Sequence, residues 1–390
     1  MTFELSRDHE EFRQSVRAFA QAEIAPHAAR WDREHHFPVD VVQKMGAFGL
    51  FGITAPEAYG GADGDFTSLC IAIEELGRVD QSLGITLQAG VGLGINPILT
   101  YGTEAQKERF LPDLVAGRTL AGFGLTEPGA GSDAGATRTR AELTADGGEW
   151  VVNGAKQFIT NSGSAITSVV TVTARTGTRE DGRPEISAIM LPAGTPGFIA
   201  EPAYDKLGWH ASDTHPLTFV DAHVPADHLL GERGRGYAQF LATLDDGRVA
   251  ISALATGCIQ ACLEMALTYA GERESFGAPI GRKQGVAFQI ADLQVMLDAS
   301  RMLTYRAAAM KDADAPAAAF KQAAAVAKLY STESAVTATR IATQVFGGYG
   351  FMEEYPVARF YRDAKVLEIG EGTSEVQRML IARGLGLPVE

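Results

Sequence analysis

The sequence predicts an α+β chain in three successive parts: an N-terminal α-helical domain, a middle antiparallel β domain and a C-terminal helical bundle. Apolar residues recur at helical spacing as far as about residue 120, short β-branched runs between Gly-rich turns fill 121–235, and helical periodicity returns beyond 236. Domains 1–120, 121–235 and 236–390 are therefore expected. That order is unlike the strand-helix alternation of a doubly wound sheet.

In the first part, Leu69, Ala72, Ile73 and Leu76 share a helical stripe set against Glu74, Glu75 and Arg78, and Thr103 with Gln106 reads as a capping box opening a further helix. In the second, Asp146-Gly147-Gly148, Asn153-Gly154 and Asp181-Gly182 are hairpin signals, and residues 168–173 and 185–191 read as strands. In the third, Val286, Ile290, Leu293 and Leu297 repeat at four, three, four on one helix face. The Ala-rich stretch Ala315 to Lys328, with Pro316 near its first turn, has high helix propensity.

The 390 residues are 46% hydrophobic and 21% charged, ordinary globular values. A net charge of −14 leaves no broad basic face for nucleic acid or an anionic membrane surface, so any polyanionic ligand must be held locally. The start, Met1 to Asp8, carries acids where a signal peptide would be basic, and no run approaches 18 apolar residues. A cytoplasmic protein without membrane insertion is expected. The three cysteines are too few for a disulfide framework. Cys258 and Cys262 lie one helical turn apart but have no companion ligands, and His35, His36, His223 and His228 lack ligand spacing. Buried cysteines and no metal are expected.

Gly129-Ala-Gly131-Ser-Asp-Ala134 fits the loose dinucleotide pattern Gly-x-Gly-x-x-Ala, with Glu149 about 20 residues on. That fingerprint must open an amphipathic helix, whereas Ala134 to Leu143 has no helical apolar stripe. Taken whole, Phe123 to Asp133 offers closely spaced backbone N–H groups, two hydroxyls and glycines that let a flat ring approach. Such a loop suits a polar, planar, electron-accepting ligand.

The segment Leu125-Thr-Glu-Pro-Gly-Ala-Gly-Ser-Asp133 resembles the head of the middle domain in the acyl-CoA dehydrogenase family. The resemblance extends over essentially the whole chain, through Gln344-Val-Phe-Gly-Gly-Tyr-Gly-Phe351 with Glu354, Arg359 and Asp363, and through Arg362 to Glu375. It implies a four-helix bundle in the C-terminal domain and FAD as cofactor. By that resemblance Phe123, Leu125 and Thr126 hold the flavin pyrimidine edge, Gly131 is a further cofactor contact, Ser132 touches both cofactor and the CoA arm, and Phe158, Ile159 and Thr160 lie against the ring. Arg273, beside Phe276, binds the FAD pyrophosphate, a role its planar fork suits. Gln284 and the run Gln344, Val345, Phe346, Gly347 and Gly348 add FAD contacts, some from a neighbouring subunit, so a homotetramer built as a dimer of dimers is implied.

Asp245 and Arg248 would line the acyl-CoA site, Glu371 would be the catalytic base with Gly372 beside the substrate, and Thr373 and Glu375 would touch the flavin. The implied reaction is α,β-dehydrogenation of an acyl-CoA to a trans-2-enoyl-CoA, with electrons passed to an electron-transfer flavoprotein. It needs a base for the α proton, a hydride acceptor for the β carbon and donors for the enolate-like thioester oxygen. Some family members carry the base where Gly247 stands here; with that position empty, Glu371 present and the run Leu244-Asp-Asp-Gly-Arg248, the motif style is that of short-chain and short-branched-chain members. Gly370 departs from the tyrosine common before the base, a change that widens the pocket and leaves the acyl chain length open. The rivals are an acyl-CoA oxidase or flavin hydroxylase on the same fold, and a silent acyl-CoA-binding subunit.

Overall fold

The structure, a computed structural model, describes residues 5–389; the Met1–Glu4 part of the acidic start lies outside them. Seven helices come first: α1 (Arg7–Phe19), α2 (Ala28–Glu34), α3 (Val39–Ala47), α4 (Phe66–Gly77), α5 (Gln81–Gln88), α6 (Asn96–Tyr101) and α7 (Glu104–Val115). Side chains close four of the N-termini: Ser6, Asp65 and Asp80 cap α1, α4 and α5, and the Thr103–Gln106 box opens α7 as its spacing predicts. Between α5 and α6 the helix widens into a π-helical stretch, Ala89–Ile95. Such widenings recur at functional sites.

The middle region is one sheet of eight strands: β1 (Leu120–Gly124), β2 (Arg140–Leu143), β3 (Glu149–Thr160), β4 (Thr167–Thr178), β5 (Pro184–Pro192), β6 (Phe198–Ala200), β7 (Thr214–Pro225) and β8 (Leu229–Leu230). Its order is β6-β7-β3-β2-β4-β5-β8, antiparallel at most contacts, with the two expected strand runs inside β4 and β5. Two contacts are parallel, β1 with β4 and β2 with β4. The first follows from β1 entering directly from the helical part and leading into a long loop rather than a hairpin turn; the second is a single pair, Arg140 with Arg175. Trp150, Val152, Val172, Ile189, Leu217 and Phe219 fill the core of this sheet.

Three long helices follow, α8 (Gly236–Glu272), α9 (Gln284–Asp312) and α10 (Ala317–Phe346), then α11 (Pro356–Ala364) and α12 (Ser374–Gly384), the last packing along α10 as the bundle's fourth member. Ile290, Leu293 and Leu297 bury the predicted face of α9. Two helical stretches, Gln81–Tyr101 and Gly236–Glu272, are long and apolar enough to cross a membrane, but the most apolar part of each is mostly buried in the core. The three cysteines are free and buried, and among the described residues no cluster of His, Cys, Asp or Glu could hold a metal ion.

One helix face departs from its reading. The stripe of α4 is buried as expected, yet Glu74 and Glu75 are buried too, because α4 is enclosed by α1, α8 and α9. Glu74 accepts hydrogen bonds from Arg301 and Tyr305, and Glu75 accepts two from Arg17. Partners on two neighbouring helices, α1 and α9, thus replace solvent.

Candidate active site

The C-terminal motif builds a tight corner. Glu371 and Gly372 both take left-handed backbone conformations, at φ 51° and 92°, between the short 3₁₀ turn Lys365–Glu368 and the start of α12. The Thr373 side chain caps α12 by accepting from the Val376 N–H at 3.3 Å. The Gly372 carbonyl is held from two sides, by Lys328 Nζ of α10 and Gln377 Nε2 of α12, each at 2.8 Å. Both of these side chains are fully buried.

This corner turns the Glu371 side chain inward against α8. A Cβ added to Gly247 would stand 2.0 Å from Glu371 Oε2, so the helix passes directly beneath the carboxylate. Only a glycine leaves the space. Oε2 is buried without a hydrogen-bond partner, and burial pushes the carboxyl up to about 7, against the opposing pull of the Gln88 amide, Lys328 and Arg248. The Gln88 amide faces the same spot from the end of α5, yet neither its nitrogen nor its oxygen completes a regular hydrogen bond. Arg248 is buried one residue on from Gly247, paired with Asp245 a turn back, with its Nε unpartnered. Ser374 Oγ and Gln377 Oε1 are orphaned as well. So many unmet polar atoms at one corner are the mark of a site shaped for a ligand with its own donors and acceptors.

A second surface lies further up α8. Phe123, at the end of β1, stacks on Phe240 with centroids 3.8 Å apart. From Phe240 to Gly247 is seven residues, about 10 Å of helix. β1 also packs on the π-helical stretch, where a Cβ on Gly94 would meet the Ala121 carbonyl at 3.0 Å. The loop after β1 is pinned from beneath by buried Glu127. Its carboxylate accepts from the Arg138 and Thr139 N–H groups and from Lys156 Nζ at 2.8 Å, while Lys156 also donates to the Leu125 carbonyl. Gly131 and Ser132 are left exposed, and nothing lies within 4 Å of a Cβ placed on Gly131.

Beside this loop, the β3–β7 register slips between Lys156 and Ile159. The bulge puts Phe158 at φ 62° and leaves its ring 61% exposed beside Tyr204, while Ile159 turns into the sheet core. The Gln157 N–H donates to the Thr126 carbonyl, tying bulge to loop. Phe123, Leu125, Thr126, Phe158 and Thr160 are thus gathered at one end of the sheet. An exposed aromatic beside open glycines and free backbone suits a planar ring.

A third group lies elsewhere. Arg273 caps the C-terminal end of α8, 26 residues and roughly 39 Å along the helix from Gly247. It begins a small exposed hairpin, Glu274–Ser275 with Ala278–Pro279, whose tip Phe276 is 96% exposed. Gln284, Gln344, Gly347 and Gly348 are exposed, and the Arg273 guanidinium sits 5.8 Å over the Tyr349 ring, which brings the hairpin to the turn after α10. Val345 and Phe346 face the core, Phe346 stacking on Tyr269 at 4.1 Å, so only their main chain is open to a ligand. Within one chain, then, two of the three groups adjoin and the third stands apart. Glu375 is exposed on the first turn of α12.

Sequence reasoning missed Gln88, Lys328, Gln377 and the Glu127–Lys156 pair as parts of this constellation. Glu127 stood inside a quoted motif without a role, and Lys328 closed an Ala-rich run that signalled only helix.

Models of the acyl-CoA dehydrogenase N-terminal, middle and C-terminal domains match residues 6–118, 122–222 and 234–386. The chain is 47% identical over 385 residues to a probable acyl-CoA dehydrogenase of Bacillus subtilis, covering 99% of this chain and 100% of that protein. Among solved structures it is similar to butyryl-CoA dehydrogenase from Megasphaera elsdenii, at TM-score 0.94 and 40% identity over 99% and 100% of the two chains. A chain from a structure of the electron transferring flavoprotein of Acidaminococcus fermentans matches at TM-score 0.94 and 39% identity over 99% of each chain.

Proposed function

Since the chain belongs to the acyl-CoA dehydrogenase family, an FAD-dependent class of oxidoreductase, we propose that it converts a short-chain acyl-CoA to its trans-2-enoyl-CoA with Glu371 as the base. The observation that carries this reading is the buried, unpartnered Oε2 of the half-buried Glu371, turned against Gly247. Bound FAD supplies the hydride acceptor for the β carbon. Phe123, Leu125, Thr126, Gly131, Ser132, Phe158 and Thr160 would hold its ring end, Ile159 would add only its main chain because its side chain is in the sheet core, and Thr373 and Glu375 would lie nearby. Asp245, Arg248 and Gly372 would line the thioester path, and Ser132 would serve the CoA arm. The orphaned polar atoms of the corner fit a thioester and a flavin better than an apolar void. Glu371 takes the α proton at its free oxygen, which the corner holds out of solvent.

Short chain length is supported by the butyryl-CoA relative. It is tested by anaerobic bleaching of the flavin with straight, branched and aromatic acyl-CoAs. Fastest bleaching by a C4 to C5 straight or short-branched thioester is expected; preference for an aromatic or long chain would refute the assignment. We take an electron-transfer flavoprotein as the acceptor, a cytoplasmic setting, and domains divided near 120 and 235. Rapid peroxide release in air would point to an oxidase instead.

The distance of Arg273 from the base corner suits a homotetramer in which Arg273, Phe276, Gln284 and Gln344 to Gly348 of one copy reach the FAD of another. Phe288, Val295 and Met302 are exposed at heptad spacing on α9, an apolar stripe that another copy would cover. Arg273→Ala should therefore lower FAD occupancy and loosen the oligomer together, since a cofactor shared between copies links the two equilibria. Occupancy that holds through dilution would mark the arginine as peripheral.

A pH dependence follows from the corner. With the carboxyl raised to about 7 by burial, Glu371 is protonated and useless as a base below that pH and ionised above it. Flavin reduction at saturating acyl-CoA should fall as pH drops through about 7. A limb at pH 4 to 5 instead would mean that the carboxylate is solvated in the working enzyme.

A further inference from the structure

Resting on that reading, we propose that Lys328 is a positioning residue for Glu371: through the Gly372 carbonyl it fixes the corner that aims the carboxylate, and its ammonium is the carboxylate's buried countercharge. Lys328 is completely buried on α10, and its Nζ donates to the Gly372 carbonyl at 2.8 Å. One carbonyl is a poor exchange for the hydration of an ammonium group. A lysine kept only for packing would be better replaced by an apolar side chain of the same length.

The surroundings give the charge a purpose. Glu371 is the carboxylate that acts most strongly on Lys328; Glu368 of the 3₁₀ turn and Glu333 of α10 also favour its charge, and Arg248 of α8 opposes it. Facing Glu371 are Gln88 of α5, Lys328 and Arg248. Of the two cations, Arg248 is engaged by Asp245, whereas among the described residues no carboxylate lies within salt-bridge distance of Lys328, which so acts across the corner without locking the base. Gln377 supplies the second bond to the same carbonyl at 2.8 Å but no charge. The two left-handed residues it clamps, Glu371 and Gly372, have no regular secondary structure of their own to hold them.

The test uses the flavin-loaded enzyme and single-turnover anaerobic reduction across pH. Lys328→Met keeps the stem and removes both bond and charge. Reduction should slow by about 10- to 100-fold, as displacement of a catalytic group does, with acyl-CoA affinity within about threefold of wild type. The acid limb of the profile should move to higher pH, because a nearby positive charge that favours the carboxylate is gone. Lys328→Gln, which restores a neutral donor, should recover much of the rate while the limb stays displaced. A merely structural lysine would leave the limb where it was, and that result, or a loss confined to binding, overturns the proposal. Should neither variant retain flavin, Gln377→Leu carries the test: it must slow reduction at unchanged affinity, and wild-type reduction would overturn the clamp. Normal reduction by a Glu371→Gln enzyme would instead sink the assignment of the base. A dead Glu371→Gln enzyme with an unmoved Lys328→Met profile would sink this inference alone.

Discussion

Glu371→Gln should leave flavin content and acyl-CoA binding intact while slowing anaerobic flavin reduction by about 10² to 10⁴, toward the upper end of what general-base removal costs. The amide keeps the shape of the carboxylate and its fit beside Gly247, so the corner held by Lys328 and Gln377 should not collapse. What is lost is a basic oxygen at the α carbon. No neighbouring carboxylate is placed to substitute, since Asp245 is engaged by Arg248 and Asp246 by Lys311. Single-turnover reduction at saturating acyl-CoA separates this chemistry from binding and release. Reduction within a fewfold of wild type would show that the base is another group.

The same variant reports on stability. A folded-state pKa of about 7 lies above the ordinary value of 4.5, so folding takes up a proton, and the ionised carboxylate costs stability that is fully felt above pH 7 and vanishes below about 4.5. Loss of this charge should therefore raise the melting temperature of Glu371→Gln relative to wild type more at pH 8 than at pH 5. Lys328, left without its countercharge, offsets part of the gain.

That carboxylate also marks the limit of what one sequence conveys. A glutamate before glycine reads locally as a solvated turn, and only the surrounding motif suggested otherwise. The burial comes from α8 and α10, whose approach is set by packing far from residue 371. The same reason hid Glu74 and Glu75, whose helix position alone reads as a polar face until α1, α8 and α9 close over it. Periodicity did place α9, and capping chemistry placed α7, because both signals are local. The parallel seating of β1 on β4 is a long-range pairing with no hairpin turn to announce it. Lys328 and Gln88 carry no motif at all; their meaning lies in what they face.

Gly247 offers the other large effect. Its absent Cβ would lie 2.0 Å from Glu371 Oε2 and 3.0 Å from Cδ, far inside contact distance. The atom it meets is the free end of a side chain, so in Gly247→Ala the carboxylate should yield rather than the helix, leaving fold and flavin in place. Misplacement of a catalytic group by about 1 Å can cost 10²-fold, and a loss of that order in flavin reduction is expected. The same closeness makes the base transferable. Gly247→Glu alone should be crippled by crowding between two carboxylates, and pairing it with Glu371→Gln would leave the crowding in place. Pairing it with Glu371→Gly clears the space, and the left-handed backbone at 371 accepts glycine without strain. That double variant should regain at least about tenfold over Glu371→Gly alone, because a carboxylate rooted on α8 then occupies the volume Glu371 has vacated. The measurement is single-turnover reduction of the two enzymes side by side with the same short acyl-CoA. If the double variant binds the thioester yet reduces no faster than Glu371→Gly, then α8 does not present residue 247 to the α carbon, and nearness to Glu371 alone does not define the catalytic position.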